Sequence, residues 1–334
     1  MHQQRALFNI ASYLRKAWRF NRLLTTAVAL HFLLIPIVLT AIFLDPKTIT
    51  GVNGWIKPLK FAISGGIYGL TFAWFLIYVR GRQRWVQIAA NITGLALLVE
   101  TTLITMQVVR GVASHFNVST AFDGAVFSIM GFFILLLALM NLLTAIFLLL
   151  QRLPDRVLAW SLRLGLLISL AGMVTGFLMT AGPTPAQMAA LAAGETVNAI
   201  GAHSVGVADG GPGLPLLGWS TTGGDLRVAH FFGLHGLQAL PLLGWLLTRR
   251  RTQQVLTEGQ RYALVWTGGL SYLGLVILLT WQALRGQPVL ALDAATAWAY
   301  ALLIGYTLLA LFAILAGNIG IPAKEKFGAA LTKW

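Results

Sequence analysis

Ten acidic side chains and six histidines make up the carboxylates and imidazoles of this 334-residue chain, and it contains no cysteine. Any metal site is therefore restricted to nitrogen and oxygen ligands, and thiolate, iron–sulfur and disulfide chemistry are excluded. Glu100 stands out, in Leu97-Leu98-Val99-Glu100-Thr101-Thr102-Leu103, ten residues before Arg110. On a helix that spacing places the carboxyl about 15 Å below the helix end. An ionisable group at such depth in an apolar helix needs a partner or a cavity. Glu100 is thus a candidate proton acceptor, metal-site acid or ion ligand. Gln107, seven residues on, shares its face, and Arg110 follows at the helix end.

A second group lies in Asp225-Leu226-Arg227-Val228-Ala229-His230 through His235 to Gln238. His235 falls about 12 Å below Arg227, close to the depth expected for Glu100, and shares a face with Gln238. His230 and His235 are five apart, about 140° around a helix, which is poor geometry for one metal. The spacing-four zincin pattern is absent. His115 and His203 fall in connectors at the same end, so His115, His203, His230 and His235 form a candidate zinc- or iron-binding set. Glu100 would shuttle protons with help from Asp123, and Arg227 would stabilise an anion. His31 stands apart, and as a haem ligand it would pair with His235. The two differ in expected depth by about 8 Å, which works against that pairing. Each of these residues also fits a plainer role as a hydrogen-bonded residue between helices. Lys57 and Lys60, around Pro58, read as interfacial anchors whose stems snorkel, or otherwise as ligands for an anionic headgroup or substrate.

The elements that must carry these residues are membrane helices. The chain is 57% hydrophobic and 10% charged, with mean hydropathy +0.77. Soluble domains carry about 25% charged residues, so a soluble enzyme, a nucleic-acid-binding domain and a disordered chain are excluded. Eight apolar runs reach the length needed to span a bilayer: 23–44, 58–79, 85–109, 122–150, 157–181, 227–247, 261–281 and 294–316. Of the 24 Lys and Arg, 18 fall at one end of these spans. The positive-inside rule then predicts both termini in the cytoplasm of an inner (plasma) membrane. Residues 1–22 hold an amphipathic interfacial helix, and 319–334 a cytoplasmic tail. The connector 182–226, rich in Gly and Pro near Asp209, is expected to fold over the outer mouth.

The outer ends of two spans repeat. Thr105-Met106-Gln107-Val108-Val109-Arg110-Gly111 and Thr280-Trp281-Gln282-Ala283-Leu284-Arg285-Gly286 both read T-x-Q-x-x-R-G, and Asp123 and Asp293 each open the next span. This predicts an all-α protein of two tandem four-helix halves, 23–150 and 151–318. That architecture resembles haem A synthase, also eight helices in two four-helix halves. The family carries histidines on its even-numbered spans, and spans two, four and eight here carry none, so no residue role transfers. The leading functional expectation is a metal- or haem-dependent membrane enzyme or redox protein with a site at the outer face. A proton-coupled transporter using Glu100 and a non-catalytic subunit of a membrane complex are the alternatives. The expected partners are the bilayer and a lipid-soluble substrate such as a quinone, with no role for nucleic acid.

Overall fold

The computed structural model describes residues 10–317, with side chains from residue 15. The expected segments 5–9 and 319–334 lie outside the described residues. The chain is an all-α multi-pass membrane protein. An amphipathic helix α1 (Ile10–Phe20) leads into α2 (Arg22–Leu44), followed by α3 (Ile56–Ile77), α4 (Gln83–Val109), α5 (Ala121–Leu150) and α6 (Arg156–Met179). After a long connector containing the short α7 (Pro185–Ala192) come α8 (Leu226–Leu247), the short α9 (Arg250–Val255), α10 (Glu258–Leu284) and α11 (Ala294–Ala316). Among the described residues, seven helices are long and apolar enough to cross a membrane: α2 to α6, α10 and α11. The eighth expected span, α8, is a 22-residue helix, but His230, His235 and Gln238 dilute its apolar character.

Local chemistry sets the helix ends. Asn21, Thr120, Asp155, Asp225, Thr257 and Asp293 each cap a long helix by accepting a backbone N–H in its first turn, which satisfies a donor the helix leaves open. After α4 and α10, Gly111 (φ 77°) and Gly286 (φ 70°) take the left-handed conformation. The amides that follow, of Val112 and Gln287, bond back to the carbonyls of Gln107 and Gln282.

Packing follows one order twice. The helix α2 packs on α3 and α4, α3 on α4, and α4 on α5; likewise α6 packs on α8 and α10, α8 on α10, and α10 on α11. The closest pair is α6 with α8, where Gly165 and Gly172 meet Gly236 and Gly233. Small residues at such a crossing let backbones touch, which drives helix association in lipid. Outward faces are apolar: Phe43, Leu302 and Phe312 are 85%, 71% and 72% exposed. Arginines gather at one end of the bundle, where Arg163 donates to the carbonyls of Leu148 and Gln151 and Arg261 to that of Leu247. The long connectors gather at the other.

At this loop end, two antiparallel pairs tie the connectors together. The strands β1 (Thr48–Ile49) and β2 (Val52–Asn53) form a hairpin, and β3 (Ser204–Val205) pairs with β4 (Gly224–Asp225). The hairpin turn is Thr50-Gly51, both at positive φ, and Gly51 lies against the backbone of Gly210. Residues 116–118 bond to 198–200. The connector 182–226 therefore lies over the loop end, anchored to the α2–α3 and α4–α5 connectors.

Candidate functional site

The polar side chains of the loop end fall into two groups, one locked and one open. The locked group is Gln107, Arg110 and Asp123. Asp123 Oδ1 accepts from Gln107 Nε2 (2.9 Å) and Arg110 Nη1 (2.5 Å), and Oδ2 accepts from Thr120 Oγ1 (2.6 Å). Gln107 Oε1 also accepts from Arg110. The expectation that Asp123 relays protons from Glu100 is corrected by this geometry, because both of its oxygens are held. The partner motif behaves alike, with Arg285 Nη2 on Asp293 Oδ2 at 2.5 Å. These residues fasten one helix end to the start of the next.

The open group centres on Glu100, which is 4% exposed. Its Oε1 lies 3.8 Å from His115 Nε2, and its Oε2 has no hydrogen-bond partner. Lys57, in the first turn of α3, lies close enough to feel the charges of Glu100, Asp209, Arg227 and Lys60. His115 in turn senses Lys57, His203 and His230. His115 and His203 sit deep among these residues yet keep about a fifth of their side-chain surface open, 20% and 21%. Glu100, His115, His203 and Lys57 thus form one polar cluster at the loop end, largely buried and partly open to solvent.

His203 is positioned by the connector itself. Asp209 Oδ2 accepts from the His203 backbone N–H (3.0 Å) and from His203 Nδ1 (2.7 Å), while Oδ1 accepts from the Ser204 N–H (2.8 Å). A carboxylate only accepts, so Nδ1 carries the proton and Nε2 is the free base. Phe116, held at positive φ, sets its ring edge-on to His203 at 4.7 Å. Burial lowers the His203 pKa, and the Asp209 hydrogen bond only partly offsets it. Burial also lowers that of His115, with Lys57 and the neighbouring histidines adding to it. For Asp209 burial pushes upward, but the hydrogen bond and charge of His203 and two backbone amides outweigh it, and its pKa falls.

The remaining candidates have fixed partners. Arg227 lies side-on to Asp225, Nε to Oδ1 at 2.9 Å and Nη2 to Oδ2 at 2.5 Å, and Nη2 also reaches the Gly218 carbonyl at 2.5 Å. His230 Nδ1 donates to Gly172 O (2.8 Å) and packs against Gly176. His235 Nδ1 donates to Phe231 O (2.8 Å) and its ring lies on Phe231. Gln238 donates to Thr71 (3.2 Å), joining α8 to α3.

Among the described residues, no three His, Asp or Glu side chains are arranged to hold a metal ion. The expected set His115, His203, His230 and His235 is not assembled as ligands: His235 is turned onto Phe231, His230 is bonded to the Gly172 carbonyl, and His203 to Asp209. Nor does the haem pair form. His31 Nδ1 donates to Ala27 O (2.7 Å) and Nε2 accepts from Thr101 Oγ1 (2.8 Å), so no lone pair remains for iron. Lys57, read from the sequence as an anchor or an anion ligand, is the member of the open group that sequence reasoning did not place beside Glu100. One signal for it existed: a lysine in the first turn of a helix opposes the helix dipole, so it needs another reason to be there.

No protein-family model matches the chain, and neither does any curated protein or solved structure.

Proposed function

We propose that this protein is a membrane-embedded enzyme of eight spans, built as two four-helix halves with both termini in the cytoplasm, whose outer-face polar cluster moves protons on an amphiphilic substrate. The observation that carries the reading is the cluster of polar side chains around Glu100. Glu100, buried with one oxygen unpartnered, faces His115 across 3.8 Å beside an Asp209-oriented His203. A buried acid together with a histidine whose free nitrogen is set by a carboxylate forms a general acid–base pair. The double packing order and the matched pairs Arg110–Asp123 and Arg285–Asp293 support the two halves. Asp225, Arg227 and the connector 182–226 shape the mouth.

The test uses purified protein in proteoliposomes supplied with a total lipid and water-soluble extract of host cells, profiled by mass spectrometry over time. Wild type should consume one species, and Glu100→Gln and His203→Ala should slow this by about 100-fold or more. An unchanged profile with wild type overturns the reading.

A proton-coupled transporter is the second reading, favoured by one observation. The buried Thr93 stands seven residues before Glu100, on nearly the same face of α4, and extends the polar side towards the arginine-rich end. Vesicles loaded with a pH dye would then show proton flux that Glu100→Gln abolishes. Packing of Val28 and Leu97 against Gly69 opposes this reading, because it places apolar groups further along that path.

A further inference from the structure

Three cations meet beside this cluster, and they come from two helices. Lys57 and Lys60 stand in the first turns of α3, and Arg227 stands in the first turn of α8. Lys57 and Lys60 are three residues apart and share a face of α3, and Lys60 and Arg227 donate to the adjacent carbonyls of Leu217 and Gly218, so the three side chains are neighbours. Their mutual repulsion is added to the positive ends of two helix dipoles. Among the described residues, neither Lys57 nor Lys60 has a carboxylate within ion-pair distance. The ion pairs at this end are instead Arg110–Asp123, Arg227–Asp225, Arg285–Asp293, His203–Asp209, His115–Glu100 and Lys47–Asp45. Lys60 spends one N–H on the Leu217 carbonyl (2.7 Å) and keeps two. Lys57 makes no hydrogen bond among the described residues, and Arg227 engages only Nε and Nη2, leaving Nη1.

The acidic neighbours do not answer this charge. Asp209 gives both oxygens to His203 and Ser204. Asp225 is committed to Arg227, to the Ser220 amide and to capping α8. Glu100, 4% exposed, has the unpartnered Oε2, which in its acid form is one more donor. Unspent donors from two lysines, one arginine and a buried acid around one space suit a group with several acceptor oxygens and negative charge.

We infer that Lys57, Lys60 and Arg227, with Glu100 behind them, form a binding site for a phosphate oxyanion. The inference rests on the reading of this cluster as the functional site and names the class of group its substrate carries. The phosphate belongs either to a free ion or to a lipid headgroup. Leu216, 80% exposed on the connector beside Leu217, provides an apolar lip where an acyl chain would run.

The test is isothermal titration of the full chain in a non-ionic detergent with two probes, inorganic phosphate and dihexanoyl phosphatidic acid. Wild type should bind at least one of them, and Lys57→Gln and Lys60→Gln should each weaken binding about tenfold. Equal affinity for both probes identifies a free phosphate as the ligand, and binding of the phosphatidate alone identifies a lipid headgroup. The inference fails if wild type binds neither, or if both lysine variants bind as wild type does. Size-exclusion and circular-dichroism profiles confirm that the variants are folded. Arg227→Gln also breaks the Asp225 and Gly218 contacts, so the lysine variants decide the outcome. His203→Ala separates this inference from the acid–base reading, since it should keep phosphate binding while losing turnover.

Discussion

At the scale of single residues, the loop end separates side chains that hold the fold from side chains left free to react. Asp123 and Asp225 look as interesting in sequence as Glu100 does, yet both spend their oxygens on caps and arginines. Glu100 keeps an oxygen unpaired although buried, which is costly unless a site uses it. His115 and His203 make a pH prediction. Both have folded pKa values below the ordinary 6.5 because burial disfavours the imidazolium. Below about pH 6.5 the unfolded chain therefore binds more protons than the folded one, and stability falls. The histidine contribution is fully present above about pH 6.5 and is lost as pH drops through the lowered folded values. Asp209 is also depressed, so its contribution is lost only further down, below the ordinary value of 3.8. Between about pH 6.5 and 5 the histidine loss should appear in thermal unfolding in detergent as a difference between wild type and a variant without the two imidazoles. A His115→Gln/His203→Gln variant should decline less steeply, and an equal slope would refute the assignment.

At the scale of elements, the site depends on where α3, α4 and α8 are held. The helix α8 carries His230 and Arg227, and its position is fixed by backbone contact with α6. A methyl group added at Gly172 would lie 2.5 Å from the carbonyl carbon of Gly233. Backbone at that point cannot move aside as a flexible side chain would. Gly172→Leu should therefore lower stability by at least about 1–3 kcal/mol, the usual effect of overpacking, and should displace His230 from its bond to Gly172 O. Gly131→Ala on α5, where the added methyl meets open space, should leave the melting temperature unchanged within about 0.5 kcal/mol. A thermal-shift measurement on the two variants decides the matter, and equal melting temperatures would refute the α6–α8 contact. The locked ends of α4 and α10 were legible in the sequence as T-x-Q-x-x-R-G, because helix termination is a local event. That each arginine pairs with the aspartate opening the very next helix was decided by the structure.

For the whole molecule, the open question is whether α8 crosses the bilayer with the other seven. It is 22 residues long, about 33 Å, enough to span. His230 and Gln238 face Gly172 of α6 and Thr71 of α3, and His235 bonds within its own helix to Phe231 O. With eight crossings both termini share a side, and with seven they do not. The chain has no cysteine, so single cysteines report topology on an otherwise native background. Glu195→Cys and Gln287→Cys in intact cells should react with an impermeant maleimide, while Arg82→Cys and Arg251→Cys should react only after lysis. Protection of Gln287→Cys in intact cells would remove α8 from the set of spans.

The membrane class and the helix limits were legible in the residue types alone, and the limits agree with the structure to within about three residues at each end. Both are local properties: a helix satisfies its own backbone, and an apolar run of spanning length is read from composition alone. Only the tertiary structure decided which polar residues meet. In a soluble protein the apolar period marks the inward face, but lipid is as apolar as a protein core. The helices here are apolar on both sides, so the period does not say which way Glu100, His31 or His235 points. Packing decided it. Glycines set the neighbours of α8, the connector brought His203 to His115, and α3 brought Lys57 to Glu100. The same packing turned His235 onto Phe231 and His31 onto Thr101, away from the shared metal or haem site that residue types alone suggested.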